Sequence, residues 1–308
     1  MATVSDSFSC PNCGAAVTFP EGRIADTCSF CETPLVQDAQ EEREPVDLVA
    51  PFRLTREVAS GRLRGRLSGE FWAAEAVRKT ADPEELDGVL VPFWCYDATA
   101  RSEYQGEVGI YWYETQTYTV VVNGRTQVRT RQVRRTEWHS LSGTHVHTYE
   151  DHLVSGSQGL PEAESNALEP FDLGAARPFS PELIAGLIAE HPTVSHTEAE
   201  KTAGEELTSL ENRTITRFLP GDDTRNVHNS TTTHVDDVRL VLLPVWIATF
   251  RHNGAVFRMM VNGQTGEVVG KVPKSKTKIG CAVGCGVAMV VGMIGMVLLM
   301  GLIGGSMQ

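Results

Sequence analysis

Two cysteine pairs constrain this chain more than any other feature in it. Cys10, Cys13, Cys28 and Cys31 form C-x2-C-x14-C-x2-C within "CPNCGAAVTFPEGRIADTCSFC". Each C-x-x-C can curl into a knuckle whose thiolates point to one side, and two knuckles close a tetrahedron around Zn2+. Gly14, directly behind the first pair, suits the tight turn because glycine tolerates positive φ. Phe8, Val17, Phe19, Ile24 and Leu35 are too few to fold this segment by apolar burial alone, so the metal would supply the missing folding energy. A redox C-x-x-C would need a βαβ setting and would leave the second pair without a role. With four thiolates engaged, no coordination position stays open for catalysis, and the zinc is expected to be structural.

Zinc ribbons often touch nucleic acid, but Arg23 is the only base between residues 8 and 36. The stretch that follows, "QDAQEEREPVD", is acidic, and the whole chain of 308 residues carries a formal charge of −12. Phosphate backbones are bound by dense Lys and Arg, so protein docking suits this ribbon better. The N-terminus has no basic stretch followed by an apolar run, which predicts no cleaved signal peptide. Of seven cysteines, four lie in the pairs, Cys281 and Cys285 lie near the C-terminus, and Cys95 stands alone. That placement fits a reducing compartment with one metal site, not a disulfide framework.

The other end of the chain predicts a membrane span. From Ile279 to Met307 there is no charged residue, and about 20 apolar residues cross a bilayer core as helix. Lys271, Lys274, Lys276 and Lys278 precede it, four of the six lysines in the chain. By the positive-inside rule this flank stays cytoplasmic. The expectation is a single-pass, tail-anchored protein of the cell membrane, with its N-terminus and soluble domains cytoplasmic. Gly280, Gly284, Ala288 and Gly292 recur every four residues, a stripe that would let two helices approach as a homo-oligomer. Glycine is also simply common in membrane helices. Cys281 and Cys285 are read as packing residues, with reversible acylation as the minor alternative.

Between the ends, "QDAQEEREPVDLVAP" reads as a linker, and beyond it one pattern occurs twice. "GVLVPFWCYDA" at 88–98 matches "LVLLPVWIATF" at 240–250, each with Pro two residues before Trp. Each is followed by a strand ending in Asn-Gly, at 123–124 and 262–263, which predicts type I′ hairpins. Each is preceded by helical spacing: Leu63, Leu67, Phe71 and Ala74 in the first copy, and Ala199, Ala203, Leu207, Leu210 and Phe218 after a Thr197 cap in the second. Prolines inside the two strands suggest edge strands or strand starts. The expected fold is α+β: a zinc ribbon at 1–38, an acidic linker at 39–52, and a module of two diverged helix-plus-antiparallel-sheet repeats at 53–272. A basic juxtamembrane segment at 273–278 and a transmembrane helix at 279–305 complete it.

No catalytic constellation emerges, and the chain is not expected to be an enzyme. His145 and His147 on one strand, with His152 nearby, could bind metal, but surface strand histidines are far commoner. "SGSQG" at 155–159 lacks the strand–elbow–helix setting of a nucleophile. Asp151 with His152, or Asp222 with Asp223, could act as acid and base, although acidic loops usually face water. Arg125, Arg129, Arg131, Arg134 and Arg135 alternate with Val128 and Val133 as a solvated strand face, open to anionic lipid headgroups or an acidic partner. There is no P-loop and no G-x-G-x-x-G.

Taken in order, "CPNCGAAVTF", "CSFCETPL", "GVLVPFWCYDATARSEYQGEVG", "RTRQVRRTEW", "DHLVSGSQGLP", "LEPFDL", "LLPVWIATF" and "VNGQTGEVVGKVPKSKTKI" cover nearly the whole chain. This succession resembles a bacterial family of zinc-ribbon proteins with one C-terminal membrane helix, often labelled TFIIB-type zinc ribbon or primosomal and replication proteins. In place of a Gly-Gly-Asp segment of that family, this chain has "LPGDDTR". Relatives occur with SPFH (flotillin-like) and phage-shock-protein-A-like membrane proteins. The resemblance implies an adaptor that docks cytosolic partners at the inner membrane face in envelope maintenance or stress response, and it carries over no catalytic residue. The alternatives are a membrane-tethered nucleic-acid-binding accessory of replication or transcription, favoured by the ribbon label and the Arg-rich strand, and an enzyme with an unrecognised site.

Overall fold

The computed structural model describes residues 7–18, 23–28, 31–36, 44–69, 86–252, 255–271 and Met289. The first elements are β1 (Ser7–Ser9), β2 (Ala16–Thr18), β3 (Arg23–Thr27), β4 (Pro34–Val36), β5 (Leu48–Val49) and α1 (Arg56–Gly69). Next come β6 (Leu86–Val122), β7 (Arg125–Ser155), α2 (Glu162–Leu168), β8 (Arg177–Pro178), α3 (Pro181–Ile184) and β9 (Ile188–Glu190). The chain continues through α4 (His196–Phe218), β10 (Asp223–His252), β11 (Ala255–Asn262) and β12 (Val268–Gly270). Two compact units result: residues 1–92, 157–193 and 241–308 form one, and residues 93–156 and 194–240 the other.

In the first unit, β1 and β2 pair antiparallel, as do β3 and β4. β3 also pairs with β9, and β9 runs parallel beside Val89 and Leu90 of β6. The last part of β10 pairs antiparallel with β11, which pairs with β12, while Val241 and Leu242 lie parallel beside β5. α1 buries Ala59, Leu63 and Leu67, one residue per turn, against Leu86, Ala248, Met259 and Val261. A second cluster joins Ala25, Val49, Leu90, Ile184, Ala189 and Leu242.

The second unit is built on strands of unusual length. β6 and β7 stay in register from Ala98↔Tyr149 to Val122↔Arg125, closed by Asn123 and Gly124 at φ 51° and 76°. Both values are positive, as the type I′ turn requires. β10 lies on the other side of β6. Its contacts descend from Asp236 to Arg225 as β6 ascends from Thr99 to Glu107, an antiparallel order. α4 covers one face of this sheet. Its N-cap is Ser195, one end of a capping box with Glu198. Its buried stripe is Ala199, Ala203, Leu207, Glu211 and Ile215.

Several expectations are corrected. The fold is dominated by mixed sheet rather than by repeated helix-plus-antiparallel-sheet units with a membrane helix, because β6, β7 and β10 together outweigh the helices. Among the described residues no helix is long and apolar enough to cross a membrane. α4 is the longest, and Glu198, Glu200, Lys201, Glu205, Arg213 and Arg217 ring it with charge that a bilayer would not accept. The single-pass, tail-anchored placement at the cell membrane is therefore not carried further. The expected span at 279–305, apart from Met289, and the basic segment at 273–278 lie outside the described residues, as do Phe71 and Ala74.

The cap is Ser195 rather than Thr197, and Phe218 is exposed where the spacing had placed it in the core. Asn262 does not open a type I′ turn. Its buried side chain donates to Leu168 O (2.8 Å) and Pro170 O (3.0 Å) and accepts from Gln264 N (2.8 Å) and Thr265 N (3.0 Å). The two strand prolines are not at edges or starts either. Pro92 falls where β6 exchanges β9, at Val89 and Leu90, for β7, from Phe93 onward. Pro244 falls where β10 exchanges β5, at Val241 and Leu242, for β11, from Val245 onward. A change of neighbour is where a residue without an N–H costs a ladder least, and both copies of the repeat use it.

Candidate metal centre

The ribbon is built from two matching turns. Cys10 N donates to Ala15 O (2.8 Å) and Gly14 N to Cys10 O (2.9 Å), while Cys28 N donates to Thr33 O (2.8 Å) and Glu32 N to Cys28 O (2.8 Å). Gly14 and Glu32 occupy equivalent places at φ 72° and 57°. Glycine accepts that conformation freely, whereas Glu32 holds it at a cost that the rest of the knuckle must offset. β1–β2 carries the first knuckle and β3–β4 the second, with Val17 and Leu35 packed against the buried Cys10 and Cys28.

All four sulfurs lie within 4.8 Å of one another. Cys10 Sγ is 3.7 Å from Cys31 Sγ, and Cys13 Sγ is 3.8 Å from Cys28 Sγ. Those separations are too long for disulfides, whose sulfurs sit about 2.05 Å apart. They suit four thiolates about 2.3 Å from a shared tetrahedral ion. Local donors favour the thiolate form at two positions. The Thr33 hydroxyl, 3.0 Å from Cys31 Sγ, and the Thr33 N–H draw the Cys31 pKa down to about 6. The Cys13 N–H, ahead of other effects, lowers Cys10. The four cysteines can therefore hold a metal ion, and the centre offers it no fifth ligand from His, Asp or Glu among the described residues.

The other sequence candidates are engaged elsewhere. Arg23, the one base of the ribbon, is paired with Asp26 at 2.7 Å. Ser157 of "SGSQG" is buried, donates to Glu190 (3.0 Å) and accepts from Gly159 N (3.1 Å), so its hydroxyl is engaged within the fold. His152 meets Glu206 at 3.1 Å. Asp151 sits at φ 54° opposite a register shift in β6, where Arg239 reaches both Asp97 (2.7 Å) and Asp151 (3.1 Å). Asp222 and Asp223 accept from the N–H and the hydroxyl of Tyr111. These acids fasten strands and are not brought together as a reacting pair.

One cluster escaped the sequence reading. Glu211 is fully buried in the second unit, between α4 and the sheet. Its carboxylate meets His145 Nδ1 at 2.6 Å and accepts from Tyr149 Oη (2.8 Å) and Ser102 Oγ (3.1 Å), and Ser102 lies 2.8 Å from Thr231 Oγ1. Burial, above all, pushes the Tyr149 phenol up to about 12, so it remains a donor. The signal was present: Glu211 lies four residues after Leu207 and four before Ile215, a charge on the apolar stripe of a helix.

No family model and no solved structure matches the chain. It is similar to the "Uncharacterized protein YdjG" of Bacillus subtilis (strain 168), with 24% identity over 324 aligned residues, spanning 89% of this chain and 92% of the relative. The likeness covers most of both chains, and it brings no activity, metal or partner with it.

Proposed function

We propose that the four-cysteine centre holds Zn2+ structurally and that the protein is a non-catalytic adaptor whose ribbon docks protein partners. The observation that carries this reading is the convergence of four sulfurs within 4.8 Å, a donor set that fills a tetrahedral ion and leaves it no place for substrate. The ribbon's only described base is neutralised by Asp26, which removes the charge a phosphate backbone would need. The partner classes implied by the resemblance are flotillin-like (SPFH) and phage-shock-protein-A-like proteins. A nucleic-acid role has one observation in its favour, the arginines of β7, set against a net charge of −12.

Metal analysis of the reduced full-length chain should find one zinc per molecule. The same preparation should capture an SPFH or phage-shock-type partner at moderate salt, while its affinity for DNA stays weak even at low salt. Tight, steeply salt-dependent DNA binding without partner capture would replace the adaptor by the nucleic-acid reading.

A further inference from the structure

Beyond Gly109 the second unit narrows to two strands. Asp222 N donates to Gly109 O (2.8 Å), and Tyr111 N donates to the Asp222 carboxylate (2.8 Å). β10 contributes nothing further along β6, so residues 112–122 and their partners 125–135 extend as a ribbon of roughly 35 Å, at ~3.3 Å per residue. Two strands alone are marginal in water.

Because Gly109 O and Tyr111 N face the β10 side, alternate residues onward do so too. The N–H and C=O groups of Tyr113, Thr115, Thr117, Thr119 and Val121 therefore point along an edge that no described strand occupies. The edges differ in chemistry. β7 carries Arg125, Arg129, Arg131, Arg134 and Arg135, the kind of charge that blunts strand pairing. β6 reads "WYETQTYTVVV" from 112 to 122, with Glu114 its one charge and neither glycine nor proline to interrupt it. Trp112, Tyr113, Tyr118 and Val121 are 47%, 64%, 41% and 71% exposed along it.

We infer that this free edge of β6 pairs antiparallel with the same edge of a second copy of this chain, making a four-stranded ribbon across a twofold axis near Gln116. The segment is self-complementary. A twofold at Gln116 sets Glu114 opposite Tyr118 and Trp112 opposite Val120, with no like charges facing each other. The arginines of β7 are engaged within the ribbon, Arg135 with Glu114 (2.9 Å) and Arg131 with Gln116 (3.1 Å), and leave the outer backbone edge of β6 uncovered. An acidic peptide or a nucleic acid would be drawn to those arginines instead and would leave the β6 edge unpaired.

The full-length chain should sediment as a monomer–dimer equilibrium. Thr117→Pro removes an N–H that faces the free edge and that β7 does not use. It should raise the dimer dissociation constant by at least about tenfold with an unchanged unfolding midpoint. Because that variant can fail to fold, cysteines placed singly at Thr115, Gln116 and Thr117 supply a second readout. At least one should form a disulfide-linked dimer mapped to the introduced residue, and a cysteine at Thr130, on the opposite edge, should not. A chain monomeric at every concentration overturns the inference. So does a dimer indifferent to Thr117→Pro with no cross-link at the three positions, or an arm whose cysteines are shielded only by added acidic peptide or oligonucleotide.

Discussion

In the ribbon, four sulfurs converge within 4.8 Å of one another with no cation among the described residues to balance four thiolates. In the sheet under α4, one carboxylate is enclosed by a histidine, a tyrosine and a serine that satisfy it from within. Both arrangements put polar atoms where a small fold would otherwise bury carbon. On the proposed reading the ribbon would take its order from a bound ion, because its apolar content, chiefly Val17 and Leu35 beside the sulfurs, is slight. The sheet is complete in itself and is held by apolar packing as well, with Val108, Ile215 and Leu219 forming a cluster of their own. Losing one ligand should therefore abolish one structure, whereas losing one partner should only weaken the other.

The largest effect is expected at the ribbon. Structural zinc contributes about 10–16 kcal/mol of apparent binding energy in comparable small units. Cys28→Ser should abolish stoichiometric metal binding and open residues 7–36 to proteolysis, and a strong chelator should do the same to the unsubstituted chain. The urea midpoint of the α4-covered sheet should not move. If the ribbon stays protease-resistant without metal, the contrast between the two regions fails.

At the sheet, Glu211→Ala strands His145, Tyr149 and Ser102 without their acceptor, and breaking a buried polar pair in this way costs about 3–5 kcal/mol. Tyr149→Phe removes one donor and leaves the rest, for about 1–2 kcal/mol. Urea unfolding of both variants gives the ranking. Equal losses would mean that the carboxylate is not the hub of the network.

The two regions also differed in how readable they were. The ribbon's ligands were explicit because metal chemistry fixes both residue type and spacing, and Gly14 marked the turn. The duplicated Pro-x-Trp strands were visible, yet not their length or their exchange of partners at Pro92 and Pro244, since pairing is decided by residues far away in sequence. Ala199, Ala203 and Leu207 marked the buried stripe correctly, but Glu211 was passed over because Leu210 and Phe218 also fit a helical period and hydrophobicity alone continued the stripe through them. Its true neighbours, Ser102 and His145, come from strands more than 60 residues distant. The apolar tail invited a membrane helix on composition alone, whereas the described helices are amphipathic or charged.

A smaller effect is expected at the start of α4. Ser195 Oγ accepts from Glu198 N (3.3 Å), and Glu198 accepts from Ser195 N (3.1 Å), satisfying two otherwise free helix-end donors. Ser195→Ala should lower the stability of the sheet unit by about 1 kcal/mol, read as a shifted urea midpoint with an unchanged slope. No metal should be lost, since the ribbon's order does not depend on this cap.

The smallest effect is a pH dependence. Glu107 accepts from Arg225 Nε (2.8 Å) and Nη2 (3.1 Å) and from Asn226 Nδ2 (3.0 Å), and the Arg225 hydrogen bonds hold its carboxyl below the usual 4.5. A carboxyl depressed in the folded state binds its proton more readily once unfolded. Its stabilisation is thus fully present above about pH 5 and fades as the pH falls below 4.5 through the folded value. Arg225 also lies over the Trp138 ring at 4.1 Å, so indole fluorescence can follow the pair. Glu107→Gln should flatten the acid limb of the urea midpoint against pH and change little near neutrality. Because the pair is partly exposed, added salt should shrink the difference between variant and parent. A variant whose acid limb remains as steep as the parent's would assign the acid sensitivity to other carboxylates, with Glu114, similarly lowered by Arg135 on the distal ribbon, the next to replace.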